Sequence, residues 1–218
     1  MSINPPLARQ PVSLSLHTQL APQRRRVEQF IHGRFAQVHG ADVHDFLPTL
    51  VSSTNTEGEL TAAAGFKLAS EGPLFLEAYL DQPVESCLAA LGHIQPEREK
   101  IVEVGNLATA SPGRTRQLII ALAAWFDRRQ LEWAVLTLTP TLINSFRRLG
   151  LEVHVLAPAL LERLPVGLSD WGQYYALQPQ VVAVSVPESA RLLRQTSVAA
   201  VALPATQSAL HPGVASHG

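Results

Sequence analysis

The order of elements between residues 100 and 139 restricts the fold more than any other feature of this chain. KIVEVGNLA reads as a strand, and LEWAVLTLT as another. Between them, RTRQLIIALAAWFDRRQ is a helix with Leu118, Ile119, Leu122, Trp125 and Phe126 on one side. A strand joined through a crossover helix to its neighbour must run parallel to it, and the crossover is right-handed. The sheet therefore contains a parallel pair with a helix lying on one face.

The flanking elements extend this unit in both directions. Between Pro22 and Gly40, residues Val27, Phe30, Ile31, Phe35 and Val38 recur at helical spacing. FLPTLVSST (46–54) and ELTAAAGFKLA (59–69) flank the turn NTEG as a hairpin, and PLFLEAYL (73–80) is a third strand candidate. DQPVESCLAALG has helix punctuation: Asp81 as acidic cap, a Pro in the first turn, and a terminal Gly. Thr139, Pro140 and Gly150 mark the cap, first residue and stop of a short helix. LEVHVLA and QVVAVSV (180–186) are the remaining strands. The expected fold is α/β: a mixed, mostly antiparallel sheet with a parallel pair and helices on both faces. It forms a single domain over residues 22–186, with a loose Pro-rich arm at 1–21 and a tail at 187–218 that is partly helical or disordered.

Composition excludes several functions. Charged residues make up 16% of the 218 positions and the formal net charge is -1, so no basic surplus is available for nucleic acid. The one basic run, Arg24–Arg25–Arg26, reads as a solvated helix face. A single cysteine, Cys87, allows no intrachain disulfide and reads as a buried thiol. The eight histidines are scattered without ligand spacing, so no metal site is expected. There is no run long and apolar enough for a spanning helix and no export signal, so a cytoplasmic protein is expected. Neither a GxSxG elbow nor a GxxxxGK[ST] loop occurs.

Within IVEVGNLATASPG (101–113) an acid, Glu103, interrupts an apolar strand. A carboxylate there is costly unless it is paired with a neighbouring Lys or Arg or faces a cavity. If desolvated, its pKa rises, which suits a general base near neutral pH. Gly105 either relieves crowding under a helix or marks a bulge, which would turn Asn106 toward the Glu103 face. A splayed strand at Val104, Gly105 and Leu107 would free backbone groups for a pantetheine amide or an oxyanion. The small-residue loop entering the next helix, with Arg114 and Arg116, is a possible phosphate site as well as an ordinary surface loop. Trp171, Tyr174 and Tyr175 in WGQYY line a pocket or pack a core rim. Glu77 is an acid that could meet an acceptor ammonium.

VEVGNLA, TLTPTLINSFRRLGL and DWGQYYALQPQVV together resemble the bacterial thermostable hemolysin family over residues 24–186. The wider layout resembles the acyl-homoserine lactone synthases and long-chain N-acyl amino acid synthases, variants of the GCN5-related N-acetyltransferase fold. That resemblance implies acceptor-site roles for Arg26 and Phe30, one turn apart, and for Asp42, Asp45 and Lys67. It also implies catalytic roles for Glu103 and Asn106, where Lys67 and Asn106 replace arginines of the synthases. The implied activity is transfer of a fatty acyl group from a phosphopantetheine thioester to a small amine, with no tightly bound cofactor. The Gly-rich pyrophosphate loop of acetyltransferases is absent, which favours an acyl carrier protein as partner over coenzyme A. The family's name also leaves a membrane-active lysin, or a non-catalytic binding module on the same fold, as alternatives.

Overall fold

The computed structural model describes residues 13–92, 94–165, 168 and 170–202. Seven strands form one sheet in the order β1-β2-β3-β4-β5-β7-β6. They are β1 (Ser15–His17), β2 (Thr49–Thr54), β3 (Leu60–Leu68), β4 (Ile101–Thr109), β5 (Trp133–Leu138), β6 (His154–Pro158) and β7 (Gln180–Ser185). Every neighbouring pair is antiparallel except β4 and β5, the parallel pair that the crossover requires. The helices are α1 (Arg24–His39), α2 (Val84–Ala89), α3 (Pro112–Asp127), α4 (Pro140–Arg148) and α5 (Val186–Ala202).

Helix α1 buries the stripe Val27, Ile31 and Phe35 against Leu50, Ala63 and Ala108 of the sheet. Each such side chain contributes roughly 2 kcal/mol of burial free energy. Gly40 ends the helix in the left-handed region, at φ 63°. Helices α3, α4 and α5 cover the opposite face, where Leu118, Phe126, Ile143, Phe146 and Leu193 pack on Val102, Val104, Leu136 and Val184. Thus Val102 and Val104 face one layer while Ile101 faces the other, in the cluster of Leu76, Tyr79 and Leu88.

Several expectations are corrected. PLFLEAYL is not a strand: Phe75–Tyr79 is a 3-10 helix, because its first amides are capped by side chains and not by a neighbouring strand. The expected arm at 1–21 includes β1, a three-residue edge strand too short to show a pattern. Residues 186–202 form one helix, and residues 203–218 and 1–12 lie outside the described residues. Asp81 does not cap α2, whose N-cap is Pro83; it pairs with Arg163 at 2.7 Å. Cys87 is half-buried rather than buried. Of the basic run only Arg24 departs from a solvated face. It is buried, and its guanidinium donates to the carbonyls of His17, Leu47 and Pro48 and to Glu28. It ties α1 to the chain entering β2.

Candidate active site

The parallel pairing of β4 with β5 stops early. Ile101 to Val104 pair with Trp133 to Leu136, and beyond those residues the two strands have no mutual register. Strand β4 keeps only its β3 neighbour from there on, with Gly65 opposite Gly105 and Ala63 opposite Ala108. Ala64 thus faces two residues, Asn106 and Leu107, which is a β-bulge. Asn106 takes φ 50° at this point, a conformation Asn tolerates better than most residues. A cavity of about 470 Å³ opens where the strands part, lined by Glu103 to Thr109 from β4 and by Leu136 to Leu138 from β5.

Glu103 sits at the base of this gap, 4% exposed. Its Oε2 accepts the Phe75 amide at 2.8 Å and its Oε1 accepts the Leu76 amide at 2.9 Å. A single carboxylate therefore caps the 3-10 turn. Burial outweighs these hydrogen bonds and the nearby Lys67 charge, so the pKa is pushed up to about 7. Each oxygen retains a lone pair, so the group can exchange a proton with a ligand in the cavity.

Asn106 closes a second wall. Its Oδ1 accepts the Leu47 amide at 2.9 Å and its Nδ2 donates to the Asp45 carbonyl at 3.1 Å, fixing the 45–47 segment over the cavity. The facing glycines make room for that segment. A Cβ on Gly65 would stand 2.8 Å from Asn106 Oδ1 and 2.9 Å from Leu47 Cβ, and one on Gly105 would stand 3.1 Å from Leu47 Cδ1. The amide of Asn106 is thus spent on positioning the wall.

The WGQYY segment supplies the third wall by docking on the end of α1. The Gln173 amide donates to the His39 carbonyl at 2.8 Å, and Asp42 bridges to Asp170. Gly172, at φ 52°, is required there because a Cβ would lie 2.3 Å from the His39 oxygen. Tyr174 donates its hydroxyl to the Thr137 carbonyl at 3.0 Å, just past the last β4–β5 pair. Tyr79 and Tyr175 share a short hydroxyl–hydroxyl hydrogen bond. Burial raises the pKa of all three phenols, so they remain neutral donors at ordinary pH.

The structure brings together Asp45, Glu103, Val104, Gly105, Asn106, Leu107, Trp171, Tyr174 and Tyr175 around the cavity. It leaves out the others named from sequence. Arg26 is exposed and donates to the Gly58 carbonyl, and Phe30 packs in the α1 layer. Asp42 points to His44 and His32. Lys67, although opposite Glu103 in the ladder, donates to the Pro73 carbonyl at 2.7 Å. Glu77 is bound by Arg98 and by the Leu74 and Val84 amides, which hold its pKa near 2 despite burial. Arg114 donates to Gln117 and Arg116 is exposed, while Thr115 between them does line the cavity. Sequence reasoning missed Phe35, His39, Phe46, Phe75 and Tyr79. The one-turn spacing of Phe35 and His39 was a usable signal; Tyr79 was hidden inside a run read as a strand.

A family model described as thermostable hemolysin matches residues 17–190. No curated protein matches the chain. Among solved structures, the N-acyl amino acid synthase FeeM from uncultured soil microbes is similar at 18% identity and a TM-score of 0.56, over 87% of this chain and 100% of that one. The CoA-dependent acyl-homoserine lactone synthase BjaI, solved with SAM and isopentyl-CoA, is similar at 12% identity and 0.55, over 86% and 90%. The AHL synthase LasI is similar at 16% identity and 0.53, over 80% and 90%. At these identities the likeness establishes a shared fold.

Proposed function

We propose that this chain, which belongs to the thermostable hemolysin family, is an N-acyltransferase that moves a fatty acyl group from a phosphopantetheine thioester to a small amine such as an amino acid. The observation that carries this reading is the placement of Glu103: a carboxylate 4% exposed, lining a mainly apolar cavity where β4 leaves β5, its pKa pushed up by burial. The similar structures share the fold, and they include an N-acyl amino acid synthase and a CoA-dependent acyl-homoserine lactone synthase. Among the described residues no helix is long and apolar enough to cross a membrane. We read the protein as cytoplasmic, where carrier thioesters are made.

The chemistry has few steps. The acceptor ammonium gives its proton to Glu103, directly or through water, because only the free amine has a lone pair to attack. The nitrogen then bonds to the thioester carbonyl carbon, and collapse of the tetrahedral intermediate breaks the C–S bond. The amide keeps the acyl group, the thiolate leaves, and the second amine proton neutralises it. Backbone N–H groups freed by the splay would stabilise the developing oxyanion. The one hydroxyl proton that the Tyr79–Tyr175 hydrogen bond does not use is a further donor, the Tyr174 hydroxyl being spent on the Thr137 carbonyl. Leu107, Leu136, Leu138 and Leu142 would take the acyl chain. An acyl carrier protein is the preferred donor and acyl-CoA the second choice.

The test is mass spectrometry of lipid extracts from cells expressing the wild type or Glu103→Gln. An acylated amine present only with the wild type supports both the activity and the base. The same product with Glu103→Gln keeps the enzyme and removes the base. No new species in either strain, nor with purified protein supplied with acyl carrier thioesters and amino acids, refutes the activity.

A further inference from the structure

We propose that His32 of α1 and Asp42 and His44 of the segment that follows it form a divalent-cation site, with zinc-like borderline ions as its ligand class. The histidines gave no ligand spacing in sequence, yet the fold brings two of them onto one carboxylate. His44 Nε2 lies 2.8 Å from Asp42 Oδ1, and His32 Nδ1 lies 3.6 Å from the same oxygen. One donor atom from each of the three residues falls within 4.8 Å of the other two. Donors about 2.1 Å from a tetrahedral zinc stand about 3.4 Å apart, so these separations bracket the geometry needed. A hydrogen-bonded pair would account for His44 on Asp42. It does not account for a second imidazole converging on that oxygen from another element, with its ring stacked on the first at 5.2 Å.

Two imidazoles and a carboxylate, with no thiolate, suit zinc and its neighbours over magnesium or calcium. All three side chains are open to solvent, so a water can complete the coordination. On binding, His32 Nδ1 exchanges its 3.2 Å contact with the Val43 carbonyl for the metal. The ion would join α1, through His32, to the segment leading into the Asp45–Leu47 wall. The backbone of Asp42 already holds the other wall, since its amide donates to the Asp170 carbonyl at 2.7 Å. A cation here therefore ties α1 to the segments that carry both of these walls. This inference stands whether or not the acyl-transfer reading holds.

The experiment is titration of untagged, metal-free, full-length protein with Co²⁺ as a spectroscopic probe and Zn²⁺ for thermal unfolding. The expected result is a visible Co²⁺ band saturating at one equivalent. At a Zn²⁺ concentration one hundred times Kd, Tm rises by roughly 5–10 °C. The double variant His32→Gln/His44→Gln and the single variant Asp42→Asn lose both signals while keeping the far-UV spectrum of the fold. His154→Gln, at another His–carboxylate contact among the described residues, keeps them. Absence of saturable binding up to millimolar metal overturns the site, as does binding that survives in Asp42→Asn and in the double variant.

Discussion

Glu103 and Lys67 stand directly opposite each other on antiparallel strands, yet each is committed elsewhere. The carboxylate accepts the Phe75 and Leu76 amides, while the ammonium donates to the Pro73 carbonyl. The lysine is close enough to lower the Glu103 pKa somewhat, but burial dominates. In an acyl-transfer assay kcat/KM should therefore rise with pH and level off above an apparent pKa of about 7. Glu103→Gln should remove the inflection and lower kcat/KM by roughly 10²–10⁴-fold. A wild-type profile flat from pH 5 to pH 9 would remove Glu103 from the mechanism.

The same shift makes a stability statement. A carboxyl whose pKa goes from 4.5 unfolded to about 7 folded holds its proton more tightly in the native state. Its contribution is fully present below pH 4.5 and is lost as pH rises through 7. The stability advantage of wild type over Glu103→Gln should shrink by about 3 kcal/mol between pH 4 and pH 8. Urea unfolding of both proteins across that range checks this, since the other titrating groups cancel in the difference. Parallel curves would mean that Glu103 ionises normally.

Glu77 works in the opposite sense. Arg98 and two amides hold its carboxyl near 2, so its contribution is present above pH 4.5 and lost as pH falls toward 2. Arg98→Met should cost about 2 kcal/mol at pH 7, because it also abandons Glu85 and the Ala69 and Gly72 carbonyls. It should flatten the acid limb of the stability curve. An unchanged acid limb would show that Arg98 does not set the Glu77 pKa.

Gly172 and Gly113 are a contrasting pair. Gly172→Ala needs both a left-handed alanine and a Cβ 2.3 Å from a backbone oxygen, and should cost about 2 kcal/mol or more while loosening the aromatic wall. Gly113→Ala, in the first turn of α3 with nothing near its Cβ, should be neutral or stabilise by up to about 1 kcal/mol. Thermal unfolding and turnover of the two variants separate the effects. Equal Tm values would show that the segment shifts freely away from α1.

An N-acyl amine with a long chain is a detergent, so any haemolysis should follow the product. Purified protein should leave red cells intact without an acyl donor and lyse them once donor and acceptor are supplied. Lysis by protein alone would favour a direct membrane action.

The sequence by itself determined the crossover β4–α3–β5, and with it the parallel pair, because a periodic helix between two strands has one way to return to a sheet. It determined the α1 stripe, the start of α4 at Pro140 and its stop just before Gly150, and the interest of Glu103 and Gly105, each a local conflict with its own element. Only the tertiary structure decided what resolves those conflicts. The amides that satisfy Glu103 lie 27 and 28 residues away, in a segment whose apolar run looked like a strand until its donors were claimed by that carboxylate. The one arginine of the basic run that is buried, the engagement of Asn106 with the 45–47 backbone, and the meeting of His32 with Asp42 and His44 are likewise long-range. Periodicity reports which face of an element is apolar; it carries no record of which distant polar group will meet an unpaired donor, because that is set by how the layers stack.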